Sequence, residues 1–491
     1  MAMVDIVIAN RFRRILLNLS AVGLIIVAAG CTKSAPKDPL VTIDGDDSGA
    51  DASDNSGDDD GGTTDAGDSD DIVIDDDASI DPDAAVANLP DAGSAWHAVT
   101  ADAPNPQKLM PEIAAVYIVP PDGGAGYVAI IGSLTDSTSL TAAGYPSGTG
   151  DLTIAVETTG GGLDFGPWNG VIAPPGSANA PGSFLNGLQT YTGAVSQLGP
   201  TASYAIGLNY SGAVTGILTA MWQRSDSYVV GIWGIPGSAG QQPVWQNQIW
   251  FSTAQTAFEG SLVTENPNPN TPSDKSFAAF IAGVSNINMS SIAGGYGGTG
   301  NTTTGSLVTP FTNLNTLSNA NIAPASLPLQ YGVASTWTLG GGQKLFAISN
   351  SQVYWAQVPP PPSTAWSALT RLTDPTGRGP IVNNVAAAPS AVWCGRHTIL
   401  VTRDGDGNIR QSVRDPATKA WSTSLIADVT DPALPRALVP PALDGGTTQG
   451  IPQISSPAVI SRTSNTQATC EYEVYIVGLD QLIYEKTFII N

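Results

Sequence analysis

From Trp96 onward the chain repeats one plan: two short alternating runs, a tight polar turn between them, and then a large aromatic residue. A repeat of this kind restricts the fold more than any other property of the sequence. The clearest copy is TILVTRDGDGNIRQSV followed by TKAW, which ends at Trp421. QKLFAISNSQVYWAQV leads to Trp366, ILTAMWQRSDSYVVGIW to Trp245, and LTIAVETTGGGLDF to Trp168. The landmarks Trp96, Trp168, Trp245, Phe311, Trp366 and Trp421 are spaced 72, 77, 66, 55 and 55 residues apart. Alternation with period two describes strands, and the turns TTGG, SD, NSQ, DGDG and LD carry the Gly, Asp, Asn and Ser that tight hairpins require. Before Phe311 the hairpin dissolves into GGYGGTGNTTTG, the weakest copy.

Units of this length can each supply four short strands. Such a unit cannot bury both faces alone, but a ring of them makes one continuous core, so the expected fold is an all-β propeller. EVYIVGLDQLIYEKTF near the C-terminus is a hairpin without its Trp, while Trp96 is a landmark without its hairpin. One closing blade built from both ends unites them. The count is then six four-stranded blades over residues 91–491, with five or seven as the alternatives. Composition agrees: charged residues are 12% of the chain, against 54 Gly and 37 Pro, and helical spacing is rare beyond the N-terminal segment.

The strand pair, the Asp/Gly turn and the boundary Trp resemble the fucose-binding and related bacterial propeller lectins. The resemblance implies a propeller fold and glycan recognition. Those lectins repeat an Arg, a Glu and an aromatic in each pocket between blades. Here Arg224, Arg396 and Arg410 fall in different contexts and no such triplet repeats.

Ahead of the repeats, Arg11, Arg13 and Arg14 precede an apolar run from Ile15 to Gly30, the pattern of an export signal rather than a full membrane span. The run ends Ala28-Ala29-Gly30-Cys31, which resembles the lipobox of bacterial lipoproteins. That family implies a signal peptide at 1–30, cleavage between Gly30 and Cys31, and a lipidated Cys31 as membrane anchor. Thr32 stands where an Asp would favour the inner membrane, so the resemblance favours the outer membrane. An ordinary signal peptide and an uncleaved anchor are the alternatives. Residues 31–90 follow as an Asp/Gly/Ser-rich tether. From 32 to 90 they hold 18 of the 42 acidic residues and two lysines, too little apolar content to fold. Calcium binding by the Asp repeats is the alternative use. Most of the net charge of −23 therefore belongs to a tail. No basic patch offers a nucleic-acid surface.

Catalytic motifs are absent: there is no GxSxG, HExxH, GxxxxGK or sialidase-type SxDxGxTW. His97 and His397 stand in unrelated segments and are expected to be ordinary surface histidines. Asp404, Asp406 and Asn408 begin like a calcium loop, but Ile409 and the strand after it fit a polar hairpin turn better. Cys394 and Cys470, near the turns of consecutive blades, are placed to pair in an oxidising envelope; two separate thiols are the alternative. No cofactor is expected. The leading expectation is a membrane-anchored, non-catalytic propeller that binds a glycan or envelope macromolecule. Its alternatives are a structural lipoprotein and a propeller hydrolase or lyase using acids such as Asp404 or Glu473.

Overall fold

The computed structural model describes residues 95–490, apart from 102–108, 122–123, 135–151, 159–163, 167–168, 171–199, 209–213, 224–227, 265–274, 294–310, 319, 325–326, 339–341, 360–364, 440–455 and 464–468. The signal segment, Cys31 and the acidic tether lie outside the described residues, as do Trp168, Arg224 and the GGYGGTGNTTTG run.

Six antiparallel sheets of four strands make up the ring. From axis to rim, blade 1 comprises Leu109–Ile118, Tyr127–Leu134, Leu152–Val156 and Asn169–Gly170. Blade 2 comprises Thr201–Leu208, Val214–Gln223, Tyr228–Ile235 and Val244–Gln255. Blade 3 follows with Ser261–Thr264, Lys275–Ala282, Ile287–Ala293 and Thr312–Asn313. Blade 4 has Leu329–Trp337, Gln343–Ser349, Gln352–Val358 and Thr370–Arg371. Blade 5 has Ser390–Cys394, His397–Arg403, Ile409–Arg414 and Trp421–Ala427. Blade 6 takes Ala458–Ser461, Cys470–Val477 and Ile483–Ile490 from the end of the chain and His97–Ala98 from its beginning. The innermost strands touch one another in cyclic order, including the sixth against the first. The protein is therefore a six-bladed, all-β propeller closed by a blade from both ends.

Each of the six apolar clusters lies between two neighbouring blades, and together they complete the circuit. The aromatic landmarks explain why. Trp366, Trp421 and Trp96 each open or precede a rim strand and pack backward onto the preceding blade. Trp366 meets Phe280 of blade 3 edge to face at 5.6 Å, and Trp421 meets Phe346 of blade 4 at 5.9 Å. Trp96 donates from Nε1 to the Ile426 carbonyl of blade 5 at 3.1 Å. Burying one such side chain is worth roughly 1.5–3 kcal/mol, so this position fastens blade 4 to blade 3, blade 5 to blade 4 and blade 6 to blade 5.

One expectation about blade 3 is corrected. Its middle hairpin is KSFAAFIA and INMSSIA, turning at 283–286, and not the Gly/Thr run just before Phe311. The alternation is muted there because Ala and Ser occupy much of both strands, although Phe277, Ala278, Ala279 and Phe280 are fully buried.

The seam between blades 6 and 1 is closed by charge. Arg462 donates to both oxygens of Glu157 at 3.2 and 3.0 Å and, through Nε, to Glu473. Glu157 also accepts from the Val128 amide at 2.7 Å, and Glu473 accepts from the Tyr475 hydroxyl at 2.6 Å. Burial works against the Arg462 charge, but the two carboxylates outweigh it and hold the guanidinium protonated.

Candidate functional site

Polar chemistry gathers in two places, at the mouth of the ring and in a groove between blades. At the mouth, where the innermost strands begin, two of those strands bulge. The pairing of blade 1 shifts between Leu109 and Ile113, and that of blade 4 between Gln330 and Val333. Bulges re-aim side chains, and these carry Glu112 and Tyr331. Glu259 precedes the innermost strand of blade 3, Ser456 that of blade 6, and Arg403 ends the second strand of blade 5. Five blades thus deliver side chains to one end of the ring. The Arg403 charge is felt by Glu112, Tyr331, Asp404 and Glu259, and Ser456 hydrogen-bonds Glu259.

Burial raises both Glu112 and Glu259 well above the usual carboxylate range, and the charge of Glu112 raises Glu259 further. Surrounded by blades yet still reached by solvent, the two carboxyls do not ionise together near neutrality. Arg403 donates from Nη2 to the Ala386 carbonyl at 2.9 Å, while its buried Nε has no partner. Tyr331 is exposed and adopts φ +57°, a left-handed backbone that costs a non-glycine residue about 1–2 kcal/mol. Strain of this kind collects at functional positions.

The groove, narrow enough that Lys344 and Thr398 are only 3% and 1% exposed, is the contact of blades 4 and 5 at the opposite end of the innermost strands. Strand alternation sends Leu345 toward blade 3 and Phe346 toward blade 5, so Lys344 also faces blade 5. Across from it, Thr398, its pairing partners Trp393 and Arg414, and Leu400 share the face turned to blade 4. Lys344 Nζ donates to Thr398 Oγ1 at 2.6 Å and stands 5.3 Å from the Trp393 ring centre. Arg414 lies 5.8 Å from the Trp355 ring, and Trp337 lies 6.1 Å from Trp393. The buried Trp393 Nε1 and Arg414 Nε have no hydrogen-bond partner, although Trp337, Trp393 and Arg414 are each partly exposed as residues. Burial first, and then the Arg414 charge, lowers Lys344 to about 7.

The sequence-predicted residues scatter. Asp404 spends its carboxylate within its own turn, accepting from the Asp406 and Asn408 amides, Asn408 Nδ2 and Arg410 Nε at 2.9–3.1 Å. Asp404, Asp406 and Asn408 thus form a hairpin turn, and no cluster of three or more His, Cys, Asp or Glu side chains suited to a metal occurs among the described residues. Glu473 belongs to the blade 6–1 seam. Arg410 is tied to Asp404, and Arg396 is exposed at the hairpin after Cys394. His97 is exposed on the closing strand, whereas His397 is buried with Nδ1 unpartnered and faces blade 6, away from the groove. Cys394 and Cys470 are joined as a disulfide with Cα atoms 5.2 Å apart, linking blades 5 and 6. Sequence reasoning missed Lys344, Arg414, Glu112 and Glu259. One signal was available: Lys344 is the charged residue in QKLFAIS, a strand buried at every position.

No protein-family model matches this chain, and no curated protein matches it. Solved structures do. The fucose-specific lectin from Aleuria aurantia shares 10% identity over 78% of this chain and 96% of that one, with a TM-score of 0.43. The NanB sialidase of Streptococcus pneumoniae gives 8%, 79%, 71% and 0.40 on the same measures. A GH43_1 enzyme from Xanthomonas citri gives 8%, 67%, 89% and 0.32. These likenesses are remote, and the blade count rests on the strand pairing described above.

Proposed function

We propose that this chain is a membrane-anchored envelope lipoprotein whose propeller is a non-catalytic glycan-binding module, with the saccharide seated in the groove between blades 4 and 5. One observation carries the reading. Trp393 is partly exposed beside Trp337 and Lys344, and its Nε1 is a donor without an acceptor. Saccharide sites combine an apolar ring face with convergent polar groups, and Trp337, Trp355, Lys344 and Arg414 supply more of both around it. The anchoring half of the reading rests on the Ala28-Ala29-Gly30-Cys31 motif. A glycan array with the protein, repeated with Trp393→Ala, tests the binding half. Retained binding by a folded Trp393→Ala variant would move the site elsewhere, and intact mass at Cys31 decides the anchor.

A second reading has its own observation. The paired Glu112 and Glu259 carboxyls, the unused Arg403 Nε and the strained Tyr331 are the kinds of group that acid–base hydrolysis uses. Turnover of a glycoside substrate that Glu259→Gln abolishes would establish this reading in place of the first.

A further inference from the structure

We propose that the groove between blades 4 and 5 selects an acidic saccharide, holding its anionic group between Lys344 and Arg414 with a sugar ring against Trp393. The proposal rests on the glycan-binding reading above and adds the chemical class of the ligand.

Charge balance singles out this groove. The cation buried at the seam, Arg462, is paired with Glu157 and Glu473, and Arg403 at the mouth has Glu112, Glu259 and Asp404 within reach. Lys344 and Arg414 have no such counterpart among the described residues. The ion pairs among the described residues are Arg410–Asp404, Arg462–Glu157 and Arg462–Glu473, and neither groove cation takes part. The charge that acts on Lys344 is that of Arg414, another cation, while the pull of Asp415 falls on His397, on the opposite face of blade 5. A second cation beside Arg414 and out of water is costly, so Lys344 gives up its proton readily unless a ligand supplies an anion.

Hydrogen-bond inventory leads the same way. Lys344, Arg414 Nε and Trp393 Nε1 can only donate when the lysine is charged, and the nearby acceptor Thr398 Oγ1 is already taken by Lys344. The groove is rich in donors and poor in acceptors. A neutral sugar brings hydroxyls that must both give and receive, whereas a carboxylate or sulfate brings acceptors alone. The chain is strongly acidic overall, at −23, so general attraction does not draw polyanions to it. Selection must come from the local pair.

A direct consequence is proton uptake. Above pH 7 the free groove holds Lys344 largely neutral, and an anion seated beside it returns the proton from the buffer. The test is calorimetric titration of the full-length protein at pH 8 in two buffers of different ionisation enthalpy. Its arms are a uronic-acid oligosaccharide, a sulfated one, the neutral oligosaccharide of the same linkage, and acetate and sulfate ions. The expected result is acidic saccharide bound at least about tenfold tighter than the neutral one, with uptake approaching one proton, and the two acidic arms distinguish carboxylate from sulfate. Lys344→Met should abolish the preference. Lys344→Arg should keep binding but remove the uptake, and it carries the test if the methionine variant does not fold. Equal affinity for neutral and acidic sugars overturns this proposal and leaves the glycan reading standing. Unchanged preference and uptake in both Lys344 variants place the anion elsewhere and also overturn it, as does binding of the simple ions as tight as the saccharides. Silence toward every saccharide removes the glycan reading itself.

Discussion

At the residue scale, the bulge of blade 4 shows what the mouth demands of its backbone. A Cβ added at Gly332 would sit 2.7 Å from the Glu259 Cβ and 2.9 Å from the Ala388 Cβ, atoms fixed on blades 3 and 5. Gly332→Ala should therefore cost about 1–3 kcal/mol, read as a lowered denaturation midpoint. At its neighbour the expectation reverses. Tyr331→Gly relieves the left-handed strain and should leave the fold unharmed or more stable by about 1 kcal/mol, while removing an exposed ring from the mouth. A large loss of stability would mean that the tyrosine packs structurally. Neither site was legible residue by residue. Lys344, Trp393 and Arg414 come together only through strand register within two sheets and the apposition of those sheets. Asp404 and Glu473, the acids that stood out in the sequence, are consumed by a turn and a seam.

At the scale of elements, the middle hairpins and the rim aromatics were the legible part. TILVTRDGDGNIRQSV, QKLFAISNSQVYWAQV and EVYIVGLDQLIYEKTF alternate clearly, and their turns use residues suited to them. In the NSQ turn, Asn350 and Ser351 both take positive φ, at 50° and 56°, as a two-residue type I′ connection requires. Innermost strands such as SAVWC and AVIS were not legible, because they are short and resemble any apolar fragment. Blade 3 was misplaced because its hairpin uses small residues. The rim aromatic is the element that joins neighbours, and Trp421→Ala tests it. The substitution removes contacts with Phe346 and Trp355 across the blade 4–5 interface and should cost about 3–5 kcal/mol. A cost below about 1 kcal/mol would show that blade cohesion lies elsewhere.

At the scale of the molecule, the seam and the buried charges govern stability. Arg462→Met leaves Glu157 and Glu473 buried without their cation and should cost about 3–5 kcal/mol. Neutral behaviour would show that the seam is held by packing alone. The pH profile should pass through a minimum near neutrality. Burial first, then the Glu473 charge, raises Glu485 from 4.5 to about 7. The folded state therefore keeps a proton that the unfolded chain has lost, and stability falls by up to about 3 kcal/mol as pH rises through that window. Lys344, lowered from 10.5 to about 7, acts with the opposite slope from pH 7 to 10.5, where the unfolded chain binds the extra proton. Denaturant melts from pH 5 to 10 should trace both limbs, with Glu485→Gln making the acid limb shallower, since Glu112 and Glu259 act in the same direction there, and Lys344→Met flattening the alkaline one. A single monotonic slope in the unsubstituted protein would contradict the pair of shifts.

The closing blade also has a mechanical meaning. Its contribution from the beginning of the chain is the two-residue strand His97–Ala98, paired with Glu485 and Tyr484 and backed by the bond from the Val99 amide to Ile483 and by Trp96. A pull on the chain upstream of Trp96 loads this rim strand alone. It would peel away first and let out slack, while the other three strands of blade 6 stay fastened to blade 5 by the disulfide and to blade 1 by Arg462.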